Sequence, residues 1–259
     1  MIARLFTAGL LVAAPLCAQT APVSLPEVTV YSPRVANQSP TGSFAMPVSA
    51  LRFEPQVDVQ ARNLTEAQAD VTIRGGIFEN TGFGLGAFSL GDPQTGHYFA
   101  EIPVAPAMLS APEILTGAAH AARAFNSTVG AIQYGWRPIR TAGSLAVASG
   151  EYGLNRQEFY QGFAGGMTGG GMSVGADVAW ARSEANGAVP YGDSHFNRVN
   201  GRVQLRDARA QTDFFAGYQA KFFGWPNLYT PFNSNESENL ETVLLAANHR
   251  LDLGGGDFL

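Results

Sequence analysis

From Gly143 onward, apolar and polar residues alternate with a period of two. Met172, Val174, Ala176, Val178 and Trp180 share one face, and Ser173, Gly175, Asp177, Ala179 and Ala181 share the other. Val199, Gly201, Val203 and Leu205 likewise oppose Arg198, Asn200, Arg202, Gln204 and Arg206. Phe214, Ala216, Tyr218, Ala220 and Phe222 oppose Phe215, Gly217, Gln219, Lys221 and Phe223. Period-two alternation predicts strands with two unlike faces. We place them near 143–150, 155–164, 171–182, 197–206, 211–222 and 239–252. Runs of about 9–11 residues are the length a tilted strand needs to cross a bilayer. Faces rich in Arg, Gln and Asn suit a wet lumen, and aromatic residues near strand ends suit an interfacial girdle. A soluble sandwich is the other architecture that such alternation serves. The links at 165–170, 207–210 and 253–256 are short, whereas those at 183–196 and 223–238 are long. Barrels in outer membranes have this asymmetry, with short turns in the periplasm and long loops outside.

The chain before this region follows other rules. Residues 51–140 have scattered apolar clusters and read as a compact domain. In Asp70–Arg74, Val71 and Ile73 fall on one face and Thr72 and Arg74 on the other, so the stretch predicts a short strand. Gly75-Gly76 then breaks it and permits a turn or a close approach. Leu64–Gln68 predicts a helical turn, and Ala131–Tyr134 a closing strand. Asn80–Leu90 is rich in glycine, and Asp92–Tyr98 is a polar loop turned by Pro93 and Gly96. The small residues Ala118, Ala119, Ala121, Ala122 and Ala124 suit close packing against a wall. Residues 19–50 carry Pro22, Pro26, Pro33, Pro40 and Pro47 and read as a flexible linker. Inside it, Glu27-Val28-Thr29-Val30 alternates. It is either a strand-like tetrapeptide of the linker or a peptide that adds to the edge of a partner's sheet.

Residues 1–18 read as a signal peptide: Arg4, then the apolar run Leu5–Leu16, then Ala18. Cleavage there removes Cys17, the one cysteine of the 259 residues. Lipidation of Cys17 is the alternative, and Leu16 is a bulky residue to precede it. No run reaches the length of a spanning helix, but an exported chain can also cross a membrane as a closed barrel.

Composition narrows the classes. Charged residues make up 14% of the chain and aromatics 11%, against about 25% charged in average domains. A disordered chain would be the reverse, charge-rich and aromatic-poor. A net charge of −5 with no basic stripe argues against nucleic acid as partner.

Several motifs invite enzymatic readings that their contexts do not support. Gly171-Met172-Ser173-Val174-Gly175 matches a nucleophile elbow, but alternation runs straight through Ser173 where a strand-to-helix turn is needed. Gly82, Gly84 and Gly86 lack the GxGxxG spacing and the following helix of a nucleotide loop. His97, His120, His195 and His249 are scattered, without a metal-ligand spacing. The expectation is a protein that is not an enzyme and needs no cofactor or metal.

The order of "DVTIRGG" at 70–76, "DPQTGH" at 92–97, "EILTG" at 113–117 and "FNSTVGAI" at 125–132 resembles the plug domain of TonB-dependent outer-membrane receptors. The resemblance implies an α+β plug domain followed by antiparallel transmembrane β-barrel strands. It divides the chain into signal peptide (1–18), TonB box and linker (19–50), plug (51–140) and first barrel strands (141–259). Plugged transporter barrels use about 22 strands, so an incomplete barrel and an N-terminal fragment are expected. In this family a scarce nutrient, such as a siderophore or cobalamin, binds from outside and enters the periplasm through coupling to an energised TonB-like protein. Carried onto this chain, Glu27, Val28, Thr29 and Val30 would form the TonB box, and Asp70, Arg74, Gly75 and Gly76 the plug core motif, with Arg74 touching the wall. Asp92, Gln94, His97 and Tyr98 would form an apical ligand loop, Asp92 being otherwise a turn cap. Trp225 and Tyr229 would stack on ligand or anchor the interface. The other partner implied is outer-membrane lipid. A passive porin-like or structural barrel is the alternative function.

Overall fold

The computed structural model describes residues 46–62, 68–91, 102–121, 127–167, 171–227, 231–232, 236–254 and 257–258. Residues 46–139 form an N-terminal module of short strands. A 3₁₀ turn, Pro47–Phe53, opens it, and the Met46 amide donates to Ser49 Oγ at 3.1 Å. Strands β1 (Val57–Arg62) and β2 (Gln68–Ile73) pair antiparallel, with Val59 opposite Val71. A four-stranded sheet follows, built from β3 (Thr81–Leu85), β4 (Phe88–Leu90), β5 (Glu113–Leu115) and β6 (Gly130–Tyr134) in the order β4-β3-β6-β5. β3 and β6 run parallel, and the other pairs antiparallel. The interior of the module is apolar: Ile73 of β2, Leu85 of β3, Ile132 of β6 and Met108 are all but fully buried. Each such side chain contributes about 1.5–3 kcal/mol relative to exposure.

The rest is one antiparallel meander: β7 (Ala142–Ser149), β8 (Asn155–Met167), β9 (Ser173–Ala185), β10 (Ser194–Arg206), β11 (Ala210–Gly224), β12 (Ser237–Gly254) and β13 (Asp257–Phe258). Each strand pairs with its sequence neighbours, and β7 and β13 are the edges. All six expected strands are present, with β8 to β12 longer than the alternation indicated. The long link at 183–196 shrinks to 186–193 because β9 and β10 run further and pair Ala185 with Ser194. The long link at 223–238 becomes 225–236.

The two faces of the meander separate as the alternation predicts. Leu145, Phe159, Trp180, Val199, Tyr218 and Val243 lie directly opposite one another in register, an outward row across six strands. Leu145, Val199 and Val243 are exposed, as are Val203, Phe214 and Leu245 nearby. The opposite face buries Asp177, Arg198, Asn200, Arg202, Gln204, Asp213, Gln219 and Lys221. That polarity is the reverse of a water-soluble sheet, whose charged side chains are almost never fully buried unless paired.

Two expectations need correction, and a third falls mostly outside the described residues. Helix is nearly absent among the described residues: α1 is the four-residue Ala118–Ala121, so the described part of the expected α+β module is almost wholly β. Of the small residues there, Ala118, Ala119 and Ala121 are exposed rather than packed on a wall and His120 is buried, while Ala122 and Ala124 lie outside the described residues. The helical turn expected over 64–68 lies mostly outside the described residues, and Gln68 opens β2.

Candidate functional site

The residues that bring the module and the meander together form a polar seam. It is built on β9, β10 and β11, where inward positions recur every second residue. Asp177 stands opposite Arg202, and Gln204 opposite Asp213. Arg202 Nε and Nη2 donate to the two Asp177 oxygens at 3.0 and 2.7 Å. Its Nη1 reaches Asp213 at 3.4 Å, and the side chains of all three residues are fully buried. Tyr160 Oη adds a third bond to Asp177 at 3.1 Å. Charge-assisted bidentate geometry of this kind fixes the guanidinium as a rigid fork.

What the fork holds is the backbone of the module's last segment. Arg202 Nη1 donates to the Arg137 carbonyl at 3.0 Å, and Gln204 Nε2 donates to the same carbonyl at 3.2 Å. Gln204 Oε1 accepts the Ile139 amide at 2.9 Å while its Nε2 donates to Asp213 at 2.7 Å. Gln211 Nε2 donates to the Trp136 carbonyl at 3.3 Å. The Trp136 indole lies under Arg202, 5.4 Å from the guanidinium carbon to the ring centre, and against Phe215 at 5.0 Å between centroids.

A second contact lies further along β10. Asn200 Nδ2 donates to the Pro103 carbonyl at 2.8 Å, and its Oδ1 accepts the Ala105 amide at 2.8 Å. Arg198 Nη1 reaches the Val104 carbonyl at 3.4 Å. A third is on β12, where Asn248 Oδ1 accepts the Ala87 amide at 2.8 Å. There Gly86, at φ +59°, turns so close to the wall that a Cβ would sit 2.5 Å from Asn248 Oδ1. In each contact a side chain of the meander satisfies peptide groups of the module that burial would otherwise leave unpaired.

The candidate residues read from the sequence have other placements. Asp70 is buried in β2 opposite Gln60. β2 ends at Ile73, so Arg74 is in the turn, not on the strand. Arg74 has φ +52°, an uncommon conformation for a non-glycine residue, and Gly75 has φ +75°. Arg74 is exposed, and its guanidinium bonds Gln56 of the module at 2.7 and 3.0 Å. Gly76 packs where a Cβ would strike Val129. Trp225 closes the base of the 225–236 link, its amide donating to the Glu236 carbonyl at 2.8 Å. Glu27–Val30, Asp92, Gln94, His97, Tyr98 and Tyr229 lie outside the described residues.

His120 and Ser127 are the remaining pair of chemical interest, with His120 Nε2 3.0 Å from Ser127 Oγ. No cluster of three metal-ligating side chains occurs among the described residues. The Tyr134 hydroxyl is fully buried, and burial pushes its pKa up, so it stays a neutral phenol. The seam itself was not singled out from the sequence. Its signal was Arg198, Asn200, Arg202 and Gln204 alternating with Val199, Gly201 and Val203, a polar face that needed a polar partner.

No family model and no curated protein matches the chain. Among solved structures it is similar to a mutant ferric enterobactin receptor from Pseudomonas aeruginosa, at a TM-score of 0.49 and 14% identity. That match covers 80% of this chain and 40% of the receptor, so the chain spans 40% of the receptor's length.

Proposed function

We propose that the chain is the inner domain and first wall strands of an energised outer-membrane transporter of the TonB-dependent kind. One observation carries the reading: the meander buries charge and amide on the side that grips the module, and turns Val199, Val203, Phe214, Val243 and Leu245 outward. A bilayer on one side and a polar seam on the other satisfy both faces. In this reading the cargo is a scarce nutrient, such as an iron–siderophore complex or cobalamin. It binds first to Asp92, Gln94, His97 and Tyr98 and to Trp225 and Tyr229. Glu27, Val28, Thr29 and Val30 couple the module to a TonB-like protein by strand addition. The module then shifts, and the cargo passes into the periplasm.

The test is deletion of residues 27–30 in the intact protein in cells. Uptake of the cargo should fall to background while surface binding persists. Uptake that is unchanged by the deletion replaces this reading with a passive barrel. Recovery of the mature protein in the soluble fraction without detergent overturns both.

A further inference from the structure

We infer that residues 137–139 are a fixed anchor, and that the module loosens from the wall at 103–105 while 137–139 stay seated. The inference stands on the geometry of the seam and does not require the transport reading. The two contacts look alike at first, since each uses an amide side chain on β10 to bond both a carbonyl and an amide of the module. At Ala105 that side chain is Asn200, whose Nδ2 is shared with the Val199 carbonyl at 2.9 Å. At Ile139 it is Gln204, whose Nε2 is held by the Asp213 carboxylate at 2.7 Å.

The cations differ in the same sense. Arg198 reaches Val104 at 3.4 Å and also contacts Met46 Sδ at 3.6 Å, so it is held in part by the module, with the Phe196 ring of the wall 5.5 Å from its guanidinium carbon. Arg202 is locked by two acids of the wall and reaches Arg137 at 3.0 Å. A donor already oriented by its own side of the interface loses less freedom in binding, and charge-assisted bonds are the stronger kind. The anchor's grip is therefore preorganised on the wall and survives when the module's packing loosens. The grip at 103–105 depends partly on that packing. Ile139 also packs on the wall directly, its Cβ 3.0 Å from where Gly175 would carry one. Covalent continuity with β7 at Ala142 tethers residue 139, but it does not keep the Ile139 side chain covered.

The experiment compares two buried positions, Ala105→Cys and Ile139→Cys, placed separately in the intact protein in detergent. Labelling by a maleimide is followed in urea too dilute to unfold the wall, which is monitored by heat-modifiable gel migration. The parent chain corrects for Cys17. The inference expects Cys at 105 to label about tenfold faster than Cys at 139. Gln204→Ala, which leaves the Arg202–Asp177 pair in place, should bring the two rates within about threefold while the wall stays folded. Arg202→Gln should do the same. Because it could unfold the wall, Gln204→Ala is the deciding variant. Equal labelling in the parent overturns the anchor. A slow Cys at 139 that Gln204→Ala leaves slow shows that the chain tether and packing hold it, and overturns the role of the seam.

Discussion

In the N-terminal module Leu85, Met108 and Ile132 are hidden and Glu113 and Arg137 are exposed. In the meander Asp177, Arg202 and Asp213 are hidden and Val199, Val243 and Leu245 are exposed. One chain thus uses two opposite burial rules, changing over between Ile139 and Ala142. The module is held by apolar burial, whose strength scales with area removed from water. The inward face of the meander adds paired charge to buried Tyr160, Phe196 and Phe215. There the favourable Coulomb energy is offset by desolvation, so removing one partner costs far more than the pair contributes. The outward rows of such a sheet bury nothing against the rest of the described chain.

The comparison can be broken at four points. Asp177→Ala strands Arg202 and Tyr160 in the seam and should cost about 3–5 kcal/mol, read as a lower urea midpoint for the purified protein in detergent. If the meander were an ordinary core, the loss would be closer to that of a truncated side chain. Leu245→Arg should cost about 2–4 kcal/mol for insertion into lipid vesicles if its position is near the bilayer midplane. In detergent-free buffer a soluble sheet would tolerate it, so the vesicle measurement separates the two. Ile132→Val, in the module, should lower stability by about 0.5–1.5 kcal/mol in any solvent, because its surroundings are an ordinary core.

The smallest effect concerns the β10–β11 turn. Asp207 accepts the amides of Arg209 and Ala210, both at 2.7 Å. These two bonds hold its pKa below the usual carboxylate value. A group lowered in this way stabilises the turn above its unfolded pKa, and the stabilisation is lost as pH falls through the folded value. The protection factors of the Arg209 and Ala210 amides, their exchange rates taken relative to an unprotected amide at the same pH, should therefore fall on acidification in the parent. In Asp207→Ala they should be low and flat with pH.

The strands of the meander were legible because period two survives any change of neighbour: Val199 and Arg202 lie on opposite faces whatever they pair with. The short link read at 207–210 was legible for the same reason, and the turn falls at 207–209 because Ala210 opens β11. The seam was not, because Asn200 and Pro103, or Gln204 and Ile139, are joined only by the docking of two units far apart in sequence. Within the module the signals were weaker. Ala118, Ala119 and Ala121 read as a packing surface from size, but small side chains are equally at home on an exposed turn. Arg74 read as the end of a strand, yet its left-handed backbone follows from Gly75 and the bonds to Gln56. Of the candidate residues, Asp70, Arg74, Gly75, Gly76 and Trp225 have a described setting, and for none of them does that setting decide a role.

The seam's hydrogen bonds from wall to module fall mainly on peptide groups: the carbonyls of Pro103, Val104, Trp136 and Arg137 and the amides of Ala87, Ala105 and Ile139. Peptide groups are the part of a chain that substitution does not alter, proline's missing N–H aside. The docked segments are therefore free to change except where the fit uses a side chain, as at Trp136, Ile139 and Met46, or the bare backbone of Gly86. A module of different sequence that kept the backbone course and those four positions would seat on this wall, so the two halves can diverge at different rates elsewhere and still assemble.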